Sequence, residues 1–206
     1  MFFSNLLIKN TLSSYNSFIW DSHLKKLKKI KNFKPININL LIGIDRQKKT
    51  LLKNTESFAS GNFTNNALLW GSRGNGKSSL IKSIFYVINK NYKKLKLLQL
   101  NKNDIFDIEF IYSFLSKFSN YRFVIFIDDL SFEKIDSDYK IIKSTLDGSI
   151  QNQPNNILLY VTSNRRHLMP RDMIDNERSS AIHTDESVEE KISLSDRFGL
   201  WIGFHN

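Results

Sequence analysis

Ala67-Leu68-Leu69-Trp70-Gly71-Ser72-Arg73-Gly74-Asn75-Gly76-Lys77-Ser78-Ser79 is the stretch on which the reading of this chain turns. Ala67 to Trp70 is a short apolar run of strand type, Gly71 to Gly76 a glycine-rich turn, and Lys77 to Asn89 has helical spacing. Residues 71–78 fit G-x-x-x-x-G-K-[ST] without a mismatch, in the strand-to-helix context that the motif's chemistry needs. The three glycines let the backbone curl and turn successive N–H groups toward one centre, where a polyphosphate sits without Cβ atoms in its way. The helix that follows adds unsatisfied N–H groups and the positive end of its dipole. Lys77 is placed to bridge the β- and γ-phosphates and the Ser78 hydroxyl to ligate Mg²⁺. Gly71, Ser72, Arg73, Gly74, Asn75, Gly76, Lys77, Ser78 and Ser79 are therefore the candidate nucleotide-binding residues.

A carboxylate is expected at the carboxyl end of a neighbouring strand, where ligands of open α/β sheets gather. Phe123-Val124-Ile125-Phe126-Ile127-Asp128-Asp129 supplies it. Asp128 is the candidate Mg²⁺ ligand, through water. Asp129 is either the residue that orients or activates the attacking water or a solvated residue at the next turn. Asp is one methylene shorter than the Glu that many ATPases of this layout carry there, which makes Glu133 a substitute candidate.

Outward from this site the chain alternates strand and helix. Leu95 to Leu100, Phe123 to Asp128, Ile157 to Thr162 and Leu200 to Phe204 read as further strands; Gln47 to Phe58, Ile108 to Phe118 and Tyr139 to Ile150 read as helices. Such alternation implies parallel strands joined by crossover helices, hence a three-layer α/β sheet. Residues 37–206 are read as this core and 1–36 as a basic extension. Within the extension Leu24, Leu27, Ile30 and Phe33 recur every third residue among Lys25, Lys26, Lys28, Lys29 and Lys31, the pattern of a basic amphipathic helix ending near Pro35. It either packs its apolar stripe on its own domain or lies on a membrane or nucleic acid. Between Pro170 and Glu190 periodicity is lost, and a long surface loop is expected.

The chain has 206 residues, 41% of them hydrophobic, enough for one packed core, which excludes a disordered tail. With no cysteine it holds neither disulfides nor a thiolate metal centre, and a cytoplasmic setting is expected. No apolar run reaches the length of a membrane span, and no targeting segment is read at the start. The net charge of +10 permits nucleic acid or another acidic partner, but the excess is mostly Lys in a chain also rich in Asn and Ile, so a general compositional bias is the favoured account of the charge as a whole. His167 and His183 stand at no metal-ligand spacing.

Five groups of residues extend the reading. Ile42-Gly43-Ile44-Asp45-Arg46-Gln47-Lys48, the loop 69–79 and Asp128-Asp129-Leu130-Ser131-Phe132-Glu133, followed by Val161-Thr162-Ser163-Asn164-Arg165-Arg166-His167-Leu168 and residues 189–201, resemble a bacterial family of predicted AAA+ ATPases of unknown function. The resemblance runs from about Ile42 to Phe204. It implies an AAA+ core with five parallel strands, related to replication-initiator and helicase-loader ATPases, that binds ATP and Mg²⁺. It also implies a polar sensor at Asn164, an arginine finger at Arg197 that reaches a neighbouring subunit's nucleotide, and packing of Ile42 and Ile44 against the adenine. An amide at a strand's carboxyl end can donate to phosphate and accept from water, although Asn is also a common turn residue. Arg197 alternatively pairs with Asp196 or Glu189. Arg165 and Arg166 are open to phosphate, a partner subunit or nucleic acid. Family members continue into a small helical lid, whereas this sequence stops at Asn206, as a shortened version or a fragment would. The expected function is thus an AAA+ ATPase that hydrolyses ATP or uses it as a switch for assembly and partner binding. The alternatives are a non-catalytic ATP-binding scaffold and a nucleic-acid-associated loader, with a protein client equally open.

Overall fold

The computed structural model describes residues 2–132, 137–146, 153–166, 168 and 197–205. In chain order the elements are α1 (Phe2–Ser14), β1 (Ser17–Asp21), β2 (Lys26–Lys29), α2 (Asp45–Ser60), β3 (Ala67–Gly71), α3 (Lys77–Asn89), β4 (Leu95–Leu100), α4 (Ile108–Ser116), β5 (Arg122–Ile127), α5 (Ser137–Leu146), β6 (Ile157–Ser163) and β7 (Leu200–Phe204). They build one seven-stranded sheet in the order β2-β1-β4-β5-β6-β3-β7. Every neighbouring pair is parallel except the β1–β2 hairpin.

Strands β4, β5, β6 and β3 are covered on both faces, which is why each reads as a nearly unbroken apolar run rather than an alternation. Leu98, Ile125 and Leu159 face a layer made with Leu12 of α1, Ile111 and Leu115 of α4, and Ile142 of α5. Leu97, Val124 and Leu158 face the opposite layer, with Leu51 and Phe58 of α2 and Leu80 and Ile84 of α3. A three-layer α/β sandwich results.

Two expectations are corrected here. The sheet has seven strands, not five, because β1 and β2 extend it beyond β4. The Lys-rich stretch around Leu24 to Phe33 is not a helix: Lys26–Lys29 is strand β2, and the helix of this region lies earlier, at Phe2–Ser14. The three-residue apolar spacing is real, but tertiary pairing overrides it. The backbone of β4 offers hydrogen-bond partners to Ser17–Ile19, whose Phe18 and, one step on, Trp20 are buried. The chain then turns back, with the Leu24 N–H donating to Asp21 Oδ1 at 3.0 Å and Lys25 at φ 46°, so that Leu27 lies opposite Trp20. Leu24, counted into the helical stripe, ends 61% exposed at the hairpin tip.

The hairpin is tied down by one buried contact. Asp107, just before α4, accepts the indole N–H of Trp20 at 2.7 Å and pairs with Lys25. Burial works against its charged form, but the hydrogen bonds from Lys25 and Trp20 prevail and hold the carboxyl below its ordinary range. No helix among the described residues is long and apolar enough to cross a membrane.

Candidate nucleotide site

The site lies at the carboxyl end of the sheet, where β3 runs into the glycine loop and α3. Gly71 sits at φ 139° against the last strand: a Cβ there would lie 2.2 Å from the Phe204 carbonyl oxygen, so only glycine lets β7 close on β3. Gly74 and Gly76 also take positive φ, at 82° and 83°. Asn75 Nδ2 donates to the same Phe204 carbonyl at 3.4 Å, holding the loop to the sheet. The loop borders a cleft of about 330 Å³ that Asp128, Asp129, Thr162 and Asn164 line from the other side.

Lys77 is buried at the first turn of α3, and its ammonium donates to Gly71 O at 2.6 Å, Ser72 O at 2.7 Å and Asn164 Oδ1 at 3.3 Å. Burial lowers its pKa, opposed by the charges of Asp129 and Asp128. Polyphosphate oxygens offered to this group replace neutral carbonyl acceptors with charged ones, a stronger class of hydrogen bond. At the next residue, Ser78 Oγ donates to Asp128 Oδ1 at 2.6 Å. A hydroxyl and a carboxylate in direct contact, open to the cleft that the glycine loop borders, are hard oxygen donors of the kind Mg²⁺ takes.

Thr162, on β6, was not singled out from the sequence, yet it organises both acids. Its hydroxyl donates to Asp128 Oδ1 at 2.6 Å and accepts the Asp129 N–H at 2.9 Å. Asp129 has a φ of 53°, rare for a residue with a side chain, and that hydrogen bond pins it there. Asn164, just beyond β6, donates through Nδ2 to Asp129 Oδ1 while accepting from Lys77, so one amide bridges the cation and the acid. Arg73 reaches Asp129 from the loop at 3.6 Å. The only sequence signal for Thr162 was its place two residues before Asn164; a Thr within a strand is otherwise ordinary.

The remaining candidates lie elsewhere. Ile44 is buried at the start of α2, and Leu41 packs with it beneath the loop, their methyls 3.9 and 3.5 Å from where a Gly76 Cβ would be, whereas Ile42 is 86% exposed. Neither Ile42 nor Ile44 borders the 330 Å³ cleft, and Arg197, half-buried before β7, does not border it either. Arg165 donates to Phe132 O at 2.9 Å, and the Arg166 guanidinium lies 5.3 and 4.8 Å from the ring centres of Trp70 and Trp201. Glu133, His167, His183, Glu189, Asp196 and the loop Pro170–Glu190 lie outside the described residues. Among the described residues no group of His, Cys, Asp and Glu forms a metal cluster of its own.

A glycine loop between β3 and α3, an acid after β5 and an amide after β6, on a mostly parallel sheet with β3 between β6 and β7, define a P-loop fold of AAA+ architecture. Solved structures agree on the fold. Caenorhabditis elegans PCH-2 superposes with a TM-score of 0.52 at 15% identity over 84% of this chain and 45% of that one. A Thermotoga maritima RuvB P216G mutant gives 0.51 at 17% over 84% and 49%, and Aeropyrum pernix ORC1 in complex with DNA gives 0.50 at 14% over 85% and 51%. The chain spans about half the length of those structures. It belongs to the family described as "Protein of unknown function (DUF815)", whose model matches residues 13–206. No curated protein matches it.

Proposed function

We propose that this chain binds Mg²⁺-ATP in the cleft and hydrolyses it, or uses it as a switch for assembly and partner binding. The observation that carries the reading is the Asp128 carboxylate, held by the Ser78 and Thr162 hydroxyls beside the Lys77 ammonium. The loop N–H groups and Lys77 bind and orient the phosphates, which is most of what phosphoryl transfer asks of a protein. Mg²⁺, held by Ser78 and Asp128, would supply neutralisation of charge on the phosphate oxygens. Asn164 donates toward the attacked phosphoryl group, and Asp129 accepts from the attacking water. The adenine would lie beyond the cleft, on the side of the loop where Ile42 and Ile44 stand, and Arg197 would act from a neighbouring copy in a homo-oligomer. The client is a nucleic acid or a protein, and the setting is the cytoplasm.

One observation favours a second reading, an ATP-binding scaffold without turnover. The Asp129 carboxylate already accepts from Asn164 and lies against the Arg73 guanidinium, so part of its charge is committed before any water arrives. Phosphate release from Mg²⁺-ATP, with thermal shift followed in parallel, separates the two. ATP is expected to raise the melting temperature, and Lys77→Ala to abolish both that shift and any release. Tight ATP binding retained by Lys77→Ala would sink the proposal.

A further inference from the structure

The far edge of the sheet carries a charge pattern that the nucleotide cleft does not use. In β2, Lys26 and Lys28 lie opposite Asp21 and Ile19, and Leu27 and Lys29 lie opposite Trp20 and Phe18. Phe18 and Trp20 are buried in the α1/α4 layer, so Leu27 and Lys29 share that face, with the Lys29 ammonium 4.7 Å from the centre of the Tyr15 ring. Lys26 and Lys28 point to the other side. Lys31 and Lys34 follow on the segment that leaves the strand, and all of these lysines are exposed.

Among the described residues, Lys25 alone in this run is paired with a carboxylate, that of Asp107. The acid across from Lys26, Asp21, uses one oxygen to accept the Leu24 N–H. Lysine on an edge strand does discourage edge-to-edge association. That explanation stops at the strand's end, whereas the lysines continue to residue 34, and the other edge, β7, carries none.

We propose that the β1–β2 hairpin and the segment to Lys34 form a docking surface for the phosphate backbone of nucleic acid, independent of base sequence. An extended strand sets same-face lysines ~6.6 Å apart, about twice the ~3.4 Å axial spacing of phosphates along one strand of B-DNA. A lipid surface is disfavoured because interfacial binding needs a broad apolar face, and the hairpin exposes only Leu24 among its large hydrophobic side chains.

The test is fluorescence anisotropy of the full chain with labelled duplex and single-stranded oligonucleotides of about 20 nucleotides across graded KCl. Neutralising about four phosphates predicts a slope of log K against log salt near −3.6 for duplex and −2.8 for single strands. Replacing Lys26, Lys28, Lys31 and Lys34 by Gln should weaken binding at ~100 mM salt by at least tenfold and flatten the slope. A charge-matched control with Gln at the exposed Lys49, Lys53, Lys117 and Lys140 should stay within about threefold, with circular dichroism confirming that both variants fold. The anisotropy is read without added nucleotide, and the quadruple Gln variant should keep the parent's ATP-induced rise in melting temperature, so failure here and failure of the ATP reading are distinguishable. Absent binding, a salt-independent constant, or equal loss in the control variant would each overturn the proposal. So would hairpin-dependent binding to phosphatidylserine vesicles without binding to DNA, which would assign the surface to a membrane.

Discussion

The nucleotide cleft and the lysine hairpin carry their charges in opposite ways. In the cleft each ionic group has a partner: Lys77 has two loop carbonyls and Asn164, Asp128 has two hydroxyls, and Asp129 has Asn164 and Arg73. On the hairpin, Lys26, Lys28, Lys29, Lys31 and Lys34 stand in water without a carboxylate among the described residues. Desolvation makes the difference. A charge taken out of water must be paired or it destabilises the fold, whereas an exposed ammonium keeps its hydration and leaves packing unaffected. Substitutions in the cleft should therefore be felt in stability and ligand binding together, and those on the hairpin only in what the surface attracts.

The largest stability effect is expected from Gly71→Ala. The added methyl meets the Phe204 carbonyl at 2.2 Å and φ 139° is hostile to any side chain, so a loss of about 3 kcal/mol or more is expected. For a domain of this size that is a fall of roughly 6–12 °C in melting temperature, readable by calorimetry. An unchanged melting temperature would mean that β7 does not close on the loop.

Next is Thr162→Val, which keeps the volume and removes the hydroxyl. It leaves the Asp129 N–H without its acceptor and Asp128 with one donor fewer, a loss of about 1–3 kcal/mol. The Mg²⁺-ATP thermal shift should shrink more than the shift with ATP in EDTA, because the metal-side carboxylate is what loses its support. Equal shrinkage of both would make Thr162 merely structural.

Lys96 tests the comparison from the hairpin's own root. It is a buried cation that donates to Asn16 Oδ1 at 2.6 Å and Tyr15 O at 3.1 Å, just before β1. Burial, helped by the charge of Lys93, pushes its pKa down to about 8. Between about pH 8 and the ordinary lysine value near 10.5 the unfolded chain binds the extra proton, so stability rises with pH across that window and the full penalty applies below it. Lys96→Met should lose this rise, worth on the order of 3 kcal/mol, in denaturant titrations at pH 7 and pH 10.5. An identical pH profile in the variant would show the ammonium to be better solvated than its surroundings indicate.

Arg73→Ala should change least. Its pair with Asp129 is exposed on both sides, and removing it is expected to alter stability by under about 0.5 kcal/mol. If Asp129 serves water, freeing it from Arg73 should leave ATP-dependent phosphate release intact or raise it; a loss would give Arg73 a role on the phosphates instead.

The parts of the molecule legible in advance are those where local chemistry and tertiary demand coincide. Leu95–Leu100 and Leu200–Phe204 are strands over the bounds their apolar runs indicate, and Lys77–Asn89 is the helix its spacing predicts. The hairpin was misread because its three-residue apolar period suits a helix. The opposing evidence, the two-residue alternation of Phe18 and Trp20, covers only one short strand. Thr162 was missed for a different reason: its function lies in two hydrogen bonds to residues 34 and 33 positions away, and no local pattern records them.

By itself, then, the sequence determined the glycine loop, its flanking strand and helix, the acids at Asp128 and Asp129 and the parallel core, because glycine geometry, helix periodicity and double-sided burial act over a few residues. Only the tertiary structure decided that the lysine run pairs as an edge strand, that Asp107 anchors it, and that Thr162 and Asn164 hold the acids in place. Those outcomes depend on backbone and side-chain partners brought together from distant parts of the chain, and a strand at an edge takes its conformation from the neighbour that offers it hydrogen bonds.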